Sequence, residues 1–89
     1  MQKEQVEIVN QLGLHARAAA KLVSTATRFA SSVKLAKEGK EVDGKSIMSV
    51  MMLAASIGTV LELSVEGSDE AEAMAAIKAL IADKFGEGQ

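Results

Sequence analysis

Hydrophobic positions along this chain follow two periods, and the switches between them mark successive strands and helices. Val6 and Ile8 alternate with Gln5, Glu7 and Asn10, which predicts a first strand with one buried face. Asn10 to Gly13 reads as a loop. From Ala16 the apolar positions become Ala19, Leu22, Val23, Ala26, Phe29 and Ala30, offsets of 3, 4, 7, 10 and 11 from the first, which is helical spacing. Arg17, Lys21, Ser24, Thr25 and Arg28 take the other face, with Arg17 at the exposed start. Ser31-Ser32 interrupts the pattern, and Val33 and Leu35 around Lys34 predict a second strand. Glu38-Gly39 predicts a tight turn into a short third strand, Lys40-Glu41-Val42, and Asp43-Gly44-Lys45 turns again.

Ser46 is placed to cap a second, short helix carrying Ile47, Met48, Val50, Met51, Met52 and Leu53, with its end expected near Ser56 to Gly58. Leu61, Leu63 and Val65 alternate with Glu62, Ser64 and Glu66 as a last strand. Asp69 followed by Glu72 has the form of a carboxylate capping box. It opens a long helix with Ala73, Ala76, Ile77, Leu80 and Ile81 inward, ending before Gly86. The order βαββαβα predicts the α+β class. The expected architecture is an open-faced two-layer β-sandwich: a four-stranded antiparallel sheet, three helices on one face, the other face polar and wet.

Composition narrows the function. Eighty-nine residues without linker, repeat or low-complexity segment are expected to form one domain over 1–89. Apolar residues make up 48% and aromatics 2%, so the core has to be aliphatic. Few aromatics and a net charge of −2 argue against nucleic acid as a partner. The chain has no cysteine and one histidine, so no disulfide, thiol nucleophile, metal or other cofactor is expected. Met1 to Gln5 is polar, and no apolar run reaches the roughly 18 residues of a membrane span. The expectation is a cytoplasmic protein with no membrane insertion.

The lone histidine, His15, sits between Gly13 and Arg17 at the start of an alanine-rich helix. The first amides of a helix lack intrahelical partners, and the helix dipole is positive there. A neighbouring guanidinium supplies a planar fork for phosphate oxygens. A neutral imidazole also has a ring lone pair with which to attack. These features suit a histidine that carries a phosphoryl group between partners that supply the catalysis. A plainer role, in which His15 only caps the helix of a regulatory protein-binding domain, stays open at this point.

Gly39 to Ser46 also fits the nucleotide-binding pattern G-x-x-x-x-G-K-[ST]. Glu41 and Asp43 would place two carboxylates against the phosphates, and the chain has no room for the parallel sheet and second acidic motif of such enzymes. The segment reads instead as turn, strand and turn. In the helix after Ser46, Ile47, Met48, Met51 and Met52 cover too much circumference for all to be buried, and exposed methionine is an adaptable contact surface. Phosphate on Ser46 would bring about −1.5 to −2 charge into that patch.

Gly13-Leu14-His15-Ala16-Arg17, with Gly44-Lys45-Ser46-Ile47-Met48-x-Val50-Met51 further on, resembles the histidine-containing phosphocarrier (HPr) family of the bacterial phosphoenolpyruvate-dependent sugar phosphotransferase system. The resemblance covers nearly the whole chain. It implies that His15 accepts phosphate on ring Nδ1 from phosphorylated enzyme I and donates it to IIA proteins or domains. It further implies that Arg17 stabilises the phosphate and that Ser46 is open to a regulatory HPr serine kinase/phosphorylase. Ala16, Ala20 and Ser24, with Ile47, Met48 and Met51, would form the docking surface of a monomer. Ala18 stands where the family usually has proline, and Ser49 and Ala54 where glycine is common.

Overall fold

The computed structural model describes residues 1–87. The elements are β1 (Gln2–Glu7), α1 (Ala16–Thr27), β2 (Ser32–Lys37), β3 (Lys40–Asp43), α2 (Ile47–Met51), β4 (Val60–Glu66) and α3 (Glu70–Ala82), followed by a 3₁₀ turn at Lys84–Gly86. The strands form one antiparallel sheet in the order β1-β4-β2-β3. This is the predicted class and element order. β4 lies between β1 and β2, and β2 between β4 and β3, so α1 and α2 are each crossovers of a split βαβ unit.

Register puts Val6 opposite Leu61, Leu35 opposite Leu63 and Val33 opposite Val65, all buried on the helix-facing side. They meet Ala18, Ala19, Leu22, Val23 and Ala26 of α1 and Ala73, Met74, Ile77 and Ile81 of α3 in one core. The opposite face carries mostly charged and polar side chains. Ser64 belongs to that face by alternation, yet it is only 6% exposed, because β4 is central and Ser64 lies between Lys3 and Lys34 across the ladders. The outer strands carry Lys3 and Glu4 on one edge and Lys40 and Glu41 on the other, charges that discourage edge-to-edge pairing. Among the described residues, no helix is long and apolar enough to cross a membrane.

Several boundaries differ from the periodicity. β1 ends at Glu7; Ile8 is fully buried just beyond it, held by bonds from its N–H to Thr59 O and from Gly58 N–H to its own carbonyl. α1 stops at Thr27, leaving Phe29 half-buried and Ala30 exposed rather than inward. Glu38 and Gly39 both have positive φ (52° and 84°), the left-handed pair of a two-residue hairpin with Lys37 opposite Lys40.

α2 ends at Met51, not near Ser56 to Gly58. Ala54 takes the left-handed conformation (φ 50°) that stops the chain from continuing helically, and Lys37 donates to the carbonyl of Leu53 at 3.0 Å. The expected capping box at α3 is also replaced. The Asp69 carboxylate makes no cap bond to its own helix and instead accepts from the amides of Ala30 and Ser31, both at 2.9 Å, and from the Ser31 hydroxyl at 2.5 Å. Asp69 thereby ties the start of α3 to the α1–β2 connection. Glu70, rather than Glu72, reaches back to the Gly67 amide at 3.2 Å. Within α3, Met74 is buried while Ala76 and Leu80 are half-buried.

Candidate functional site

The loop before α1 is shaped by one close approach. Gly13 has φ 68°, and a Cβ there would lie 2.5 Å from the carbonyl oxygen of Ala55. No side chain fits, and the Leu14 amide consequently bonds that same carbonyl at 2.8 Å. Leu14 is buried, so its anchoring fixes where residue 15 emerges. Asn10, expected at the polar end of the strand and in the loop, is instead fully buried, and its Nδ2 closes the loop by donating to Gly13 O at 2.8 Å.

His15 occupies the N-cap of α1 with an extended backbone (φ −75°, ψ 178°), and its side chain makes no capping bond. The plainer role, an imidazole kept to cap the helix, is therefore not what the ring does. The first intrahelical bond runs from Ala19 N–H to His15 O at 2.8 Å. The amides of Ala16, Arg17 and Ala18 consequently have no acceptor within the helix and leave a positive, donor-rich end. His15, Ala16 and the exposed Arg17 line one open depression with Leu12, Gly86 and Glu87. The histidine side chain is 29% exposed.

Glu87 has no counterpart in the expectations. Its carboxylate pairs with His15 Nε2 and accepts from Asn10 Nδ2 at 3.0 Å. Burial pushes its carboxyl pKa up, but the bonds from Asn10 and His15 and the nearby Lys21 outweigh this and hold it below the ordinary value. No spacing rule links residues 10, 15 and 87; the only hint in the sequence is Phe85, an apolar residue past the end of the helical pattern. Phe85 is fully buried and drags the chain after α3 back over the site.

Ser46 is the N-cap of α2, its hydroxyl accepting from the Ser49 amide at 3.3 Å. Ile47, Met48, Met51 and Met52 are 42%, 74%, 41% and 63% exposed, so the apolar face of α2 is largely unburied. α1 packs against α2, and Ala16, Ala20 and Ser24 are exposed on α1. Leu12, 69% exposed beside His15, extends the apolar surface and carried no signal in a loop. The glycine-rich segment is not a nucleotide loop: Lys40 to Asp43 is strand β3, and Lys45 is engaged with the carbonyl of Phe29 at 2.8 Å.

Fold and site together define a small open-faced sandwich that exposes one imidazole, beside helix amides with no intrahelical acceptor and a guanidinium, in an open depression. The profile described as PTS HPr component phosphorylation site matches residues 2–83. The phosphocarrier protein HPr of Cupriavidus necator is 55% identical over 89 residues, the whole of both chains. The crystal structure of HPr-C-His from Thermoanaerobacter tengcongensis superposes with a TM-score of 0.94 at 49% identity, covering 98% of each chain. That of an HPr dimer from the same organism gives 0.79 at 49% identity, over 98% of this chain and 100% of the other. The chain belongs to the PTS HPr family, and its role is that of a phosphocarrier in the phosphotransferase system. Its partners are other components of that system.

Proposed function

We propose that His15 is the phosphoryl acceptor, taking the group from phosphorylated enzyme I and passing it to IIA proteins or domains. The observation that carries this reading is the position of the ring: at the mouth of α1, free of any capping bond, with Nε2 engaged and Nδ1 the nitrogen left for attack. The incoming phosphoryl oxygens meet the amides of Ala16 and Arg17, which have no acceptor within the helix, and the guanidinium of Arg17 across the same depression. A surface charge at a helix start is stabilised by about 0.3–1 kcal/mol, enough to steady a phosphohistidine and too little to trap it. A carrier has to release what it accepts.

Ala16, Ala20 and Ser24 with Ile47, Met48 and Met51 form the docking surface in this proposal. Ser46 is its regulatory position, open to a serine kinase, since a phosphate there would charge the edge of an apolar patch. The protein acts as a monomer in the cytoplasm, as one domain over 1–89. Incubation with phosphoenolpyruvate and enzyme I is expected to add one acid-labile phosphate per chain by mass spectrometry, and none to His15→Ala. Label retained by that variant refutes the assignment. Arg17→Ala is expected to slow transfer with an unchanged melting temperature, and Ser46→Asp to weaken binding to enzyme I; equal rates and equal affinity would remove those two roles.

A further inference from the structure

After α3 the chain does something energetically unfavourable. Lys84, Phe85 and Gly86 have φ values of 55°, 54° and 75°, three successive left-handed residues of which two carry side chains. Such a conformation is unfavourable for a non-glycine residue, so it persists only where the surroundings hold it. Three contacts do so here. The Phe85 ring is fully buried, Lys21 Nζ donates to the Phe85 carbonyl at 2.6 Å, and Asn10 Nδ2 donates to Glu87 Oε1 at 3.0 Å. The outcome of this hook is to set the other Glu87 oxygen against His15 Nε2.

Asn10 deepens the point. It is fully buried, and its Oδ1 has no hydrogen-bond partner among the described residues. An unpaired buried acceptor is unfavourable, and the side chain is retained in an orientation that aims both Nδ2 hydrogens at Gly13 O and Glu87 Oε1. The loop that positions His15 and the tail that contacts it are thus joined through one amide.

We propose that Glu87, held by Asn10, is a positioning residue that fixes the His15 ring with its proton on Nε2, so that Nδ1 is the nucleophilic nitrogen. This rests on His15 being the phosphoryl acceptor. An ionised carboxylate only accepts hydrogen bonds, so the nitrogen facing it carries the hydrogen and the other carries the lone pair. In transfer, the Nδ1 lone pair forms the N–P bond while the bond from phosphorus to the donor breaks, its electron pair leaving with the donor. The Nε2 proton stays in place, and the ring becomes positive with the Glu87 carboxylate against it. On delivery the N–P electrons return to Nδ1 and the ring is neutral again, with no proton exchanged with solvent. The same carboxylate repels the bound phosphate, which favours onward transfer over storage.

The test compares wild type, Glu87→Ala and Glu87→Gln in the full chain. It reads single-turnover phosphotransfer from phosphorylated enzyme I and the ¹⁵N signals of the His15 ring. Glu87→Ala is expected to slow the transfer step about tenfold, by analogy with the lower end of the loss when a metal-bound histidine is deprived of its carboxylate partner, without changing the enzyme I concentration needed for half-saturation. It is also expected to lose the discrete Nε2–H signal. Glu87→Gln retains an accepting oxygen but not the charge, so it should keep that signal and recover part of the rate. Wild-type transfer in Glu87→Ala, or slowed transfer with ring signals unchanged, overturns the proposal. Should Glu87→Ala fail to fold, a wild-type rate in Glu87→Gln overturns it. Phosphate uptake by His15→Ala refutes the acceptor assignment instead, so the two failures are told apart.

Discussion

Replacing Gly13 by alanine perturbs the loop that sets His15, and its cost follows from two separate effects. The first is backbone conformation: φ 68° is left-handed, which costs alanine roughly 1–2 kcal/mol. About 0.4–1 kcal/mol of that is offset because alanine has a less disordered unfolded chain. The second is steric. The new Cβ would meet Ala55 O at 2.5 Å and Ser56 Cα at 2.9 Å, both backbone atoms that cannot rotate away. The loop must shift, stretching the 2.8 Å bond from Leu14 to Ala55 and adding overpacking strain of about 1–3 kcal/mol.

Together these predict a loss of about 2–4 kcal/mol, and at about 4–8 °C per kcal/mol a fall in melting temperature on the order of 10–30 °C. Gly39→Ala is the internal control. Its φ is 84°, but nothing lies within 4 Å of the added carbon, so only the backbone effect remains, about 1 kcal/mol or less. Urea melts of both variants, with phosphate uptake measured at a temperature where each is folded, give the comparison. Gly13→Ala should be the less stable by at least about 1 kcal/mol and the slower to accept phosphate. Equal stability of the two would refute the steric argument.

Three further outcomes follow from the packing. Phe85→Ala removes a fully buried ring and should cost about 3–5 kcal/mol by denaturant melts; a loss under about 1 kcal/mol would mean that the hook is not anchored by this residue. Ala54→Gly relieves a left-handed alanine at φ 50° and should raise stability by about 0.5–1 kcal/mol, whereas destabilisation would show that the alanine methyl packs favourably. The Asp69 carboxyl lies below its ordinary pKa, chiefly through the Ser31 hydroxyl and then the Ala30 amide. Because the folded value is depressed, the ionised form stabilises the fold above the ordinary carboxylate range, and the effect is lost as pH falls through the folded value. Asp69→Asn should therefore show a shallower loss of melting temperature on acidification than wild type; identical acid profiles would contradict this.

Much of the fold was legible because its elements are amphipathic. Alternation at Val33–Leu35 and Leu61–Val65 and helical spacing at Ala19–Ala26 each bury one face. Boundaries were less legible where termination depends on tertiary contacts. The end of the α2 region is marked by the lysine from β2 and the left-handed Ala54, and neither shows as a local stop signal in the sequence. Asp69 illustrates a different limit. The position looks like a helix cap, but the carboxylate finds two amides and a hydroxyl of the α1–β2 connection, a choice that spacing cannot reveal.

At the site, the local half was readable and the distant half was not. Gly13, His15 and Arg17 lie within five residues, and their chemistry follows from a helix start. Asn10 and Glu87 are separated by nearly the whole chain and meet only because Phe85 is buried and the backbone reverses after α3. A carboxylate against Nε2 of the histidine ring therefore had no sequence signature.

In the proposed phosphorylated form, one phosphoryl group is carried on Nδ1 of His15, beside the amides opening α1. Heteronuclear NMR of the ¹⁵N-labelled protein after incubation with enzyme I and phosphoenolpyruvate locates the bonded nitrogen. Phosphorus should couple to Nδ1 while Nε2 remains bonded to hydrogen. Phosphorus on Nε2, or on any residue other than His15, would contradict the account.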